Sequence, residues 1–224
     1  MKRKIITTGD GSKTIQIEEW DEQYHSKHGA IQEAQHVFIK SGLHHFCHFN
    51  PLEEQISILE IGFGTGLNAF LTLLEAEVKS VNINYVGVEA YPVTTKELQE
   101  LNYSKLIEPS RSVDFDKLHS TPWEVKQPIT TRFELLKRKQ LISSITDQKS
   151  YNLIYFDAFG ARLQPELWTK EIFQLMYNAI KPNGVLVTYA AIGKVRRAMQ
   201  EIGFTVERLE GPPGKRHMLR ATMM

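Results

Sequence analysis

The sequence has a single cysteine, almost no net charge and no long apolar run. Cys47 stands alone among 224 residues, so no disulfide can form within the chain, and we expect a reducing compartment. The formal net charge of +1 gives no bulk attraction to nucleic acid, so RNA binding would need a local basic patch. No apolar run reaches the length of a membrane span, and the first residues lack the apolar segment of a signal peptide. We therefore expect a cytoplasmic protein without a membrane partner.

The composition is that of a globular chain with material for one core. Hydrophobic residues make up 42% and charged residues 24% of the sequence, and the length suits one domain with an extension. We predict that residues 1–50, a hairpin followed by a helix at about 30–47, pack on a main domain at 51–224. This first part has too few apolar residues to form a core of its own.

A strand, a glycine turn and a helix are predicted at 56–68, ISILEIGFGTGLN. The apolar run ends in Gly62, Gly64 and Gly66, and a helical apolar pattern follows. Glycines allow a positive φ and let a ligand approach the backbone, while free amides at a helix start favour polar or anionic groups. The alternative is an ordinary strand-to-helix turn, but three alternating glycines favour a nucleotide-type site.

A second strand at 81–88 ends in Glu89, where acids of α/β nucleotide folds bind ribose hydroxyls. The alternative for Glu89 is an exposed surface acid. Strands and helices alternate along the rest of the chain, which predicts an α/β fold: a mostly parallel sheet with helices on both faces.

A strand is predicted at 129–136, and the next one, YNLIYF at 151–156, leads directly into Asp157. Functional groups of open α/β sheets lie at the carboxyl ends of strands, so Asp157 is a candidate catalytic acid. Phe159 is a second candidate, because aromatic faces attract cations and stack on bases. The alternatives are a helix cap for Asp157 and loop packing for Phe159.

Two clusters of polar residues favour a surface interpretation. The histidines around Cys47 could suggest zinc, but no second ligand pair follows, so we expect a solvated helix end and no metal. Glu134 and the run 137–139 are likewise predicted to be solvated. Five cations near the carboxyl terminus either contact RNA phosphates or form a solvated basic face, with equal weight: Lys194, Arg196, Arg197, Lys215 and Arg216.

The glycine motif resembles that of the Rossmann-like S-adenosyl-L-methionine-dependent methyltransferases. Its pattern is GxGxG preceded by Glu60, and Leu67 replaces the third glycine of the dinucleotide fingerprint, which argues against an NAD enzyme. The segment KPNGVLV at 181–187 is also typical of that class. The resemblance implies that the turn passes the methionine moiety and that the acid after the second strand holds the ribose. The cofactor-binding residues expected are Glu60, Gly62, Gly64, Gly66, Asn68 and Glu89.

Several longer sequence segments resemble those of the tRNA (5-methylaminomethyl-2-thiouridine) methyltransferases of the MnmD type. This type is equivalent to the methylase half of the bifunctional MnmC family. The segments are YHSKHGAIQEAQHVFI, LEIGFGTGLN, FDAFGARLQPELWT, YAAIGKVRRAMQEIGFTV and GPPGKRHML, in order from about residue 24 to 223. The family's adenine-contacting segment falls around 110–137. The chain ends at 224, so no FAD-binding oxidase half is expected.

This resemblance implies methylation of the 5-aminomethyl nitrogen of the wobble uridine in tRNA. An uncharged amine must be placed in line with an activated methyl group, and Asp157 is the candidate that orients it. A separate enzyme would supply the 5-aminomethyl precursor. The alternatives are a small-molecule N- or O-methyltransferase and a non-catalytic S-adenosylmethionine-binding module.

Overall fold

The computed structural model describes residues 2–224 and contains two sheets. The first is an antiparallel sheet of three strands, in the order β1-β2-β3. The second has eight strands, in the order β10-β11-β9-β8-β4-β5-β7-β6. The strands are β1 Arg3–Thr7, β2 Lys13–Ile17, β3 Glu22–Gln23, β4 Gln55–Ile61, β5 Asn82–Val88, β6 Gln127–Pro128, β7 Phe133–Arg138, β8 Tyr151–Phe156, β9 Ile180–Thr188, β10 Phe204–Glu210 and β11 His217–Met223.

Helices cover both faces of the larger sheet. A continuous N-terminal helix consists of α1, a π-helical middle at Gln35–His44, and α2. The α-helices are α1 Ala30–Ala34, α2 His45–Phe49, α3 Leu67–Lys79, α4 Thr95–Glu100, α5 Tyr103–Ile107, α6 Ser112–Ser120, α7 Lys170–Ala179 and α8 Gly193–Glu201. Single 3₁₀ turns lie at Glu18–Trp20, Pro109–Arg111, Ile142–Ser144 and Pro165–Trp168.

The centre of the larger sheet is parallel, which confirms the predicted α/β class. Strand β4 lies between β5 and β8 and is parallel to both, and β7 and β9 extend the parallel part on either side. All six residues of β8 are buried, as expected for a strand covered by helices on both faces. The edge strands β6, β10 and β11 pair antiparallel. The carboxyl ends of β4, β5 and β8 therefore meet at one edge of the sheet.

The N-terminal helix is part of the main core. Its apolar side shares one cluster of buried residues with α3 and α6, while α7 and α8 cover the opposite face. At Gly42 the helix comes so close to the sheet that an added Cβ would lie 3.0 Å from Val187 and 3.2 Å from Tyr155. Residues 1–50 thus pack on the rest of the chain, and a domain boundary at residue 50 stays a prediction.

The turn of the predicted hairpin is tied to the start of this helix. Asp10 Oδ2 accepts hydrogen bonds from the backbone N–H of Ile31 at 3.0 Å and of Gln32 at 3.1 Å. The first amides of a helix have no partner within it, so this carboxylate acts as a cap from a distant part of the chain. The contact fixes the hairpin, and with it residues 20–28, relative to the sheet.

We expect Asp10→Ala to lower the free energy of unfolding by about 1–2 kcal/mol, the usual effect of losing a helix cap. Urea denaturation followed by circular dichroism measures this change. Asp116→Ala is the matched control, because Asp116 is exposed on α6. Equal stability of the two variants would mean that the Asp10 contacts contribute nothing to folding.

Two sequence predictions were misplaced along the chain. Proline is favoured at the first position of a helix, which predicts a helix from Pro92, but α4 starts at Thr95. Thr94 caps this helix through a reciprocal pair of hydrogen bonds with Glu97. The strand expected at 129–136 runs instead from Phe133 to Arg138.

The predicted solvation of 137–139 is wrong for Lys137, which is only 2% exposed. Its Nζ donates a hydrogen bond to the carbonyl of His119 at 2.7 Å and lies 5.0 Å from the centre of the Trp123 ring. Burial lowers the pKa of Lys137 to about 8. The rings of Phe63, in the glycine turn, and of Trp123, in the loop after α6, lie near its ammonium, which the sequence pattern could not indicate.

The histidines around Cys47 form a polar contact and ring contacts with neighbouring side chains. His44 Nε2 lies 2.6 Å from Glu75 Oε2, and the rings of His45 and His48 pack against Phe49. Among residues 2–224, no group of three or more metal-ligating side chains could hold an ion. Within the same residues, no helix is both long and apolar enough to cross a membrane.

Candidate functional site

A cavity of about 790 Å³ opens at the carboxyl edge of β4, β5 and β8. The glycine turn forms its floor, and the N-terminal segment 20–28 forms part of its wall. The lining also includes Glu89, the segment 157–160 after β8, and residues 140–143 after β7. Its volume lies within the range of small-molecule sites, and its position is the one at which α/β sheets bind ligands.

The three glycines of the turn all have positive φ, at 87°, 47° and 72° for Gly62, Gly64 and Gly66. A Cβ on Gly62 would lie 2.6 Å from the carbonyl oxygen of Asp157, so the backbone of β4 and β8 could not approach each other with a side chain there. Gly62 and Gly64 line the cavity. Gly66 does not, because it lies against the ring of His119 behind the turn.

Glu89 is bound to the glycine turn itself. Its Oε2 accepts a hydrogen bond from the backbone N–H of Gly64 at 3.0 Å, and its Oε1 accepts one from Tyr91 at 2.9 Å. Each carboxylate oxygen has a further lone pair, and Glu89 lines the cavity. The carboxylate can therefore accept hydroxyl hydrogens from a bound sugar, as a ribose-binding acid requires. These contacts fit the cofactor that the glycine motif implies.

Asn68 connects two acids at the start of α3. Its amide nitrogen donates to Glu60 Oε1 and to Asp157 Oδ2, each at 2.9 Å. Asn68 and Asp157 line the cavity, whereas Glu60 is 1% exposed and lies behind Asn68. Burial raises the pKa of Glu60 well above its usual range, which favours the neutral acid. Glu60 thus contacts the site through Asn68, and its direct cofactor contact stays a prediction.

Asp157 lies where the sequence placed it, at the end of β8 on the cavity wall. Burial is the main cause that raises its pKa to about 7, and the negative charge of Glu33 adds to it. The hydrogen bond from Asn68 and the charge of Lys215 act in the opposite direction. A carboxyl that titrates near neutral pH can exchange protons with a ligand at little cost, which is typical of groups that take part in catalysis.

Phe159 faces the N-terminal segment across the mouth of the cavity. Its ring makes edge contacts with Trp20 and Tyr24, with centroids 5.8 and 5.0 Å apart. Its carbonyl oxygen accepts a hydrogen bond from the indole of Trp168 at 2.7 Å. The ring lines the cavity and also packs against the loop that covers it. Contact with a substrate base stays a prediction.

The sequence missed three groups of cavity residues. Tyr24 and His25 come from residues 19–29, whose polar and aromatic composition predicts a loop, and Glu33 comes from the interior of a predicted helix. Tyr189, at the end of β9, also lines the cavity. The aromatic and histidine residues of YHSKHG are the one local sign of a functional segment, and they do not indicate where the segment lies relative to the sheet.

The five basic residues predicted to contact RNA do not form one group. Lys215 lines the cavity and pairs with Glu33, which separates it from the other four, and its contact with RNA stays a prediction. The other four are exposed and lie outside the cavity lining: Lys194, Arg196, Arg197 and Arg216. Their contact with RNA stays a prediction.

The segment expected to contact adenine lies outside the cavity lining. None of residues 110–137 lines the cavity; α6 and β7 pack into the core and hold the glycine turn from behind. Residues 140–143, just after the carboxyl end of β7, line the wall instead. Strand ends face the ligand edge of a parallel sheet, which places the residues that follow β7 in the cavity wall, and the contact with adenine stays a prediction.

Comparison with known proteins defines the class of this fold and site. Residues 125–224 match a family described as S-adenosyl-L-methionine-dependent methyltransferase. Together with the glycine turn, Glu89 and the parallel sheet, this match shows the fold of the S-adenosylmethionine-dependent methyltransferases, with S-adenosylmethionine as the cofactor.

Within that class the chain is similar to MnmC proteins, which confirms the resemblance in the sequence. It is 27% identical over 217 residues to the tRNA 5-methylaminomethyl-2-thiouridine biosynthesis bifunctional protein MnmC of Idiomarina loihiensis, a match that covers 89% of this chain and 35% of the relative. The same protein of Cupriavidus necator is 27% identical over 215 residues, covering 91% and 32%. The chain spans about a third of the length of these curated relatives.

Solved structures agree with this assignment. MNMC2 from Aquifex aeolicus matches with a TM-score of 0.82 and 25% identity, covering all of this chain and 70% of that one. Spermidine synthase from Thermotoga maritima matches with a TM-score of 0.59 and 16% identity, covering 99% and 68%. At that identity the second match shows a shared fold alone.

Proposed function

We propose that the protein methylates the 5-aminomethyl nitrogen of the wobble uridine in tRNA, giving the 5-methylaminomethyl group. The observation that carries the proposal is Asp157, a cavity acid that titrates near neutral pH in a chain whose full length superimposes on MNMC2. A buried carboxylate beside a methyl-donor site suits an amine acceptor, because it can bind the amine and orient its lone pair.

S-adenosylmethionine, when bound, supplies a methyl group already activated on a sulfonium. The backbone of Gly62 and Gly64 and the carboxylate of Glu89 would hold it against the glycine turn. Asp157 binds the incoming ammonium, and the neutral amine forms when a proton leaves to water. The carboxylate then accepts a hydrogen bond from the remaining N–H and keeps the lone pair directed at the methyl group. Asn68 fixes the carboxylate, and Tyr189 Oη donates to the Ala158 carbonyl at 2.8 Å, which holds the loop.

The tRNA would approach over the exposed cations at the cavity edge of the sheet. Helix α8 begins at Gly193, five residues after β9 ends, and β9 ends at the same edge as the cavity. Its exposed cations lie on this surface, as does Arg216 in the loop before β11, and lysine and arginine side chains bind phosphates without reading sequence. The substrate amine must be installed beforehand by a separate enzyme, and the reaction would take place in the cytoplasm.

Nucleoside mass spectrometry tests this proposal directly. We expect tRNA from a deletion strain to carry the 5-aminomethyl nucleoside, and purified protein with S-adenosylmethionine to add one methyl group to it. A small-molecule methyltransferase would leave the tRNA unchanged while methylating a metabolite. A non-catalytic module would bind the cofactor and methylate neither, and either result would overturn the assignment.

We expect Arg196→Ala/Arg197→Ala to raise the KM for tRNA and to flatten its salt dependence by about two counterions' worth. Initial rates at several salt concentrations measure both. Lys79→Ala/Lys149→Ala is the matched control, because both lysines are exposed just before β5 and β8, at the opposite edge of the sheet. If the two double variants have the same salt slope, the α8 cations are solvated surface.

A further inference from the structure

Lys215 is held on the cavity wall by two other side chains. Its Nζ lies 2.5 Å from Glu33 Oε1 and 3.7 Å from the centre of the Tyr189 ring. Glu33 is 7% exposed, and its second oxygen accepts the backbone N–H of Ser26 at 2.9 Å. An ammonium fixed by a carboxylate and an aromatic face has little freedom to move, so its charge acts at one place.

These residues share a cavity with the acid proposed to bind the amine. The same cavity is lined by Lys215, Glu33, Tyr189 and Asp157. The Tyr189 hydroxyl donates a hydrogen bond to the carbonyl of Ala158, the residue that follows Asp157. After burial, the charge of Glu33 raises the pKa of Asp157, and the charge of Lys215 lowers it. The two charges of the ion pair therefore shift the pKa of Asp157 in opposite directions.

Other groups near Asp157 carry little opposing charge. Asn68, from α3, is a neutral donor to it, and Glu60 behind Asn68 is driven toward its neutral form by burial. His25, from the N-terminal segment, has its pKa lowered to about 4 by burial and is neutral near pH 7. Glu89, at the end of β5, keeps both oxygens on backbone amides. The charges that shift the pKa of Asp157 are those of Glu33 and Lys215.

We propose that Lys215 and Glu33 are an opposed pair of positioning residues that sets the charge of Asp157 for amine binding. The charge of Lys215 opposes the rise in the pKa of Asp157, so the carboxylate that binds an ammonium and accepts its N–H forms at a lower pH than it would without the cation. Glu33 fixes the cation and leaves the group of three with one net negative charge, which attracts a positively charged substrate. The part of this inference that concerns the amine rests on the proposed function.

Opposite shifts in the titration of Asp157 test the pair. Carbon-13 NMR of the carboxyl groups follows Asp157, whose signal is assigned by its loss in Asp157→Asn. We expect Lys215→Met to raise the midpoint of the titration by about one pH unit or more and Glu33→Gln to lower it, each as expected for removal of one nearby charge. Lys215→Arg keeps the charge and should keep the midpoint. Lys170→Met and Glu201→Gln are the matched controls, since they remove an exposed ion pair on α7 and α8.

Shifts in the same direction, or unchanged midpoints in folded variants, would overturn the inference. If Lys215→Met does not fold, Glu33→Gln decides alone, and a midpoint that stays or rises is the contradicting result. The pH profile of single-turnover methylation should move with the NMR midpoints. Opposite NMR shifts in a protein that does not methylate tRNA would support the role of the pair and overturn the proposed function. Methylation of tRNA with unchanged midpoints would support the proposed function and overturn the role of the pair.

Discussion

Asp157→Asn should lower kcat for tRNA methylation by about 100-fold or more, within the usual range for a positioned acid–base group. The amide keeps the shape and one acceptor oxygen, but it loses the charge that binds the ammonium. Because burial and Glu33 raise the pKa of Asp157 to about 7, the carboxylate forms as the pH rises through that value. The parental rate should therefore increase from about pH 6 to 8, and the component due to Asp157 should be absent in the variant.

Single-turnover methylation of tRNA carrying the 5-aminomethyl group, measured from about pH 6 to 9, gives both quantities. Cofactor affinity should change much less than kcat, since Glu89 and the glycine turn stay intact. Asp116→Asn, on the exposed side of α6, serves as the control. An Asp157→Asn enzyme that turns over at the parental rate across this range would show that another group orients the amine.

Gly64→Val and Glu89→Ala should each weaken S-adenosylmethionine binding at least tenfold. Valine is strained at the φ of 47° that Gly64 adopts, and its Cβ would meet the Tyr24 ring at 3.1 Å. Loss of the Glu89 carboxylate removes hydrogen bonds to a charged group, which contribute about 1.5–3 kcal/mol each. Isothermal titration calorimetry measures the affinity.

Gly11→Val provides a control with the same kind of backbone strain. Gly11 has a φ of 82° in the hairpin turn, and no atom lies within 4 Å of an added Cβ. This variant should lose some stability while binding the cofactor as the parent does. If both Gly64→Val and Glu89→Ala bind the cofactor with the parental affinity, the glycine turn and Glu89 do not form the cofactor site.

The sequence could predict the parts of the site that depend on neighbours along the chain. A glycine turn between a strand and a helix has a local pattern, and Asp157 follows an apolar strand whose end must face the ligand edge. The parallel sheet follows from the same alternation of elements. These features were therefore located to within a residue or two.

The remaining parts of the site depend on contacts between distant segments. Glu33 and Lys215 are 182 residues apart and meet only because the N-terminal helix packs across β9. No spacing rule connects them, so Lys215 was interpreted as a surface cation. Lys137 was misjudged for a similar reason, because its burial is set by rings from another element. Charge alone does not tell whether a lysine is solvated or covered.

The cavity wall has a consequence for the order of folding. The wall includes Arg3, from β1, and Lys215, from the loop before β11. The complete binding site therefore exists only when both ends of the chain have packed against the rest of the fold. Non-local contacts of this kind form late. S-adenosylmethionine that binds only the native state would add RT ln(1 + [L]/Kd) to its stability, so the cellular level of the cofactor would influence how much of the protein survives unfolding and proteolysis.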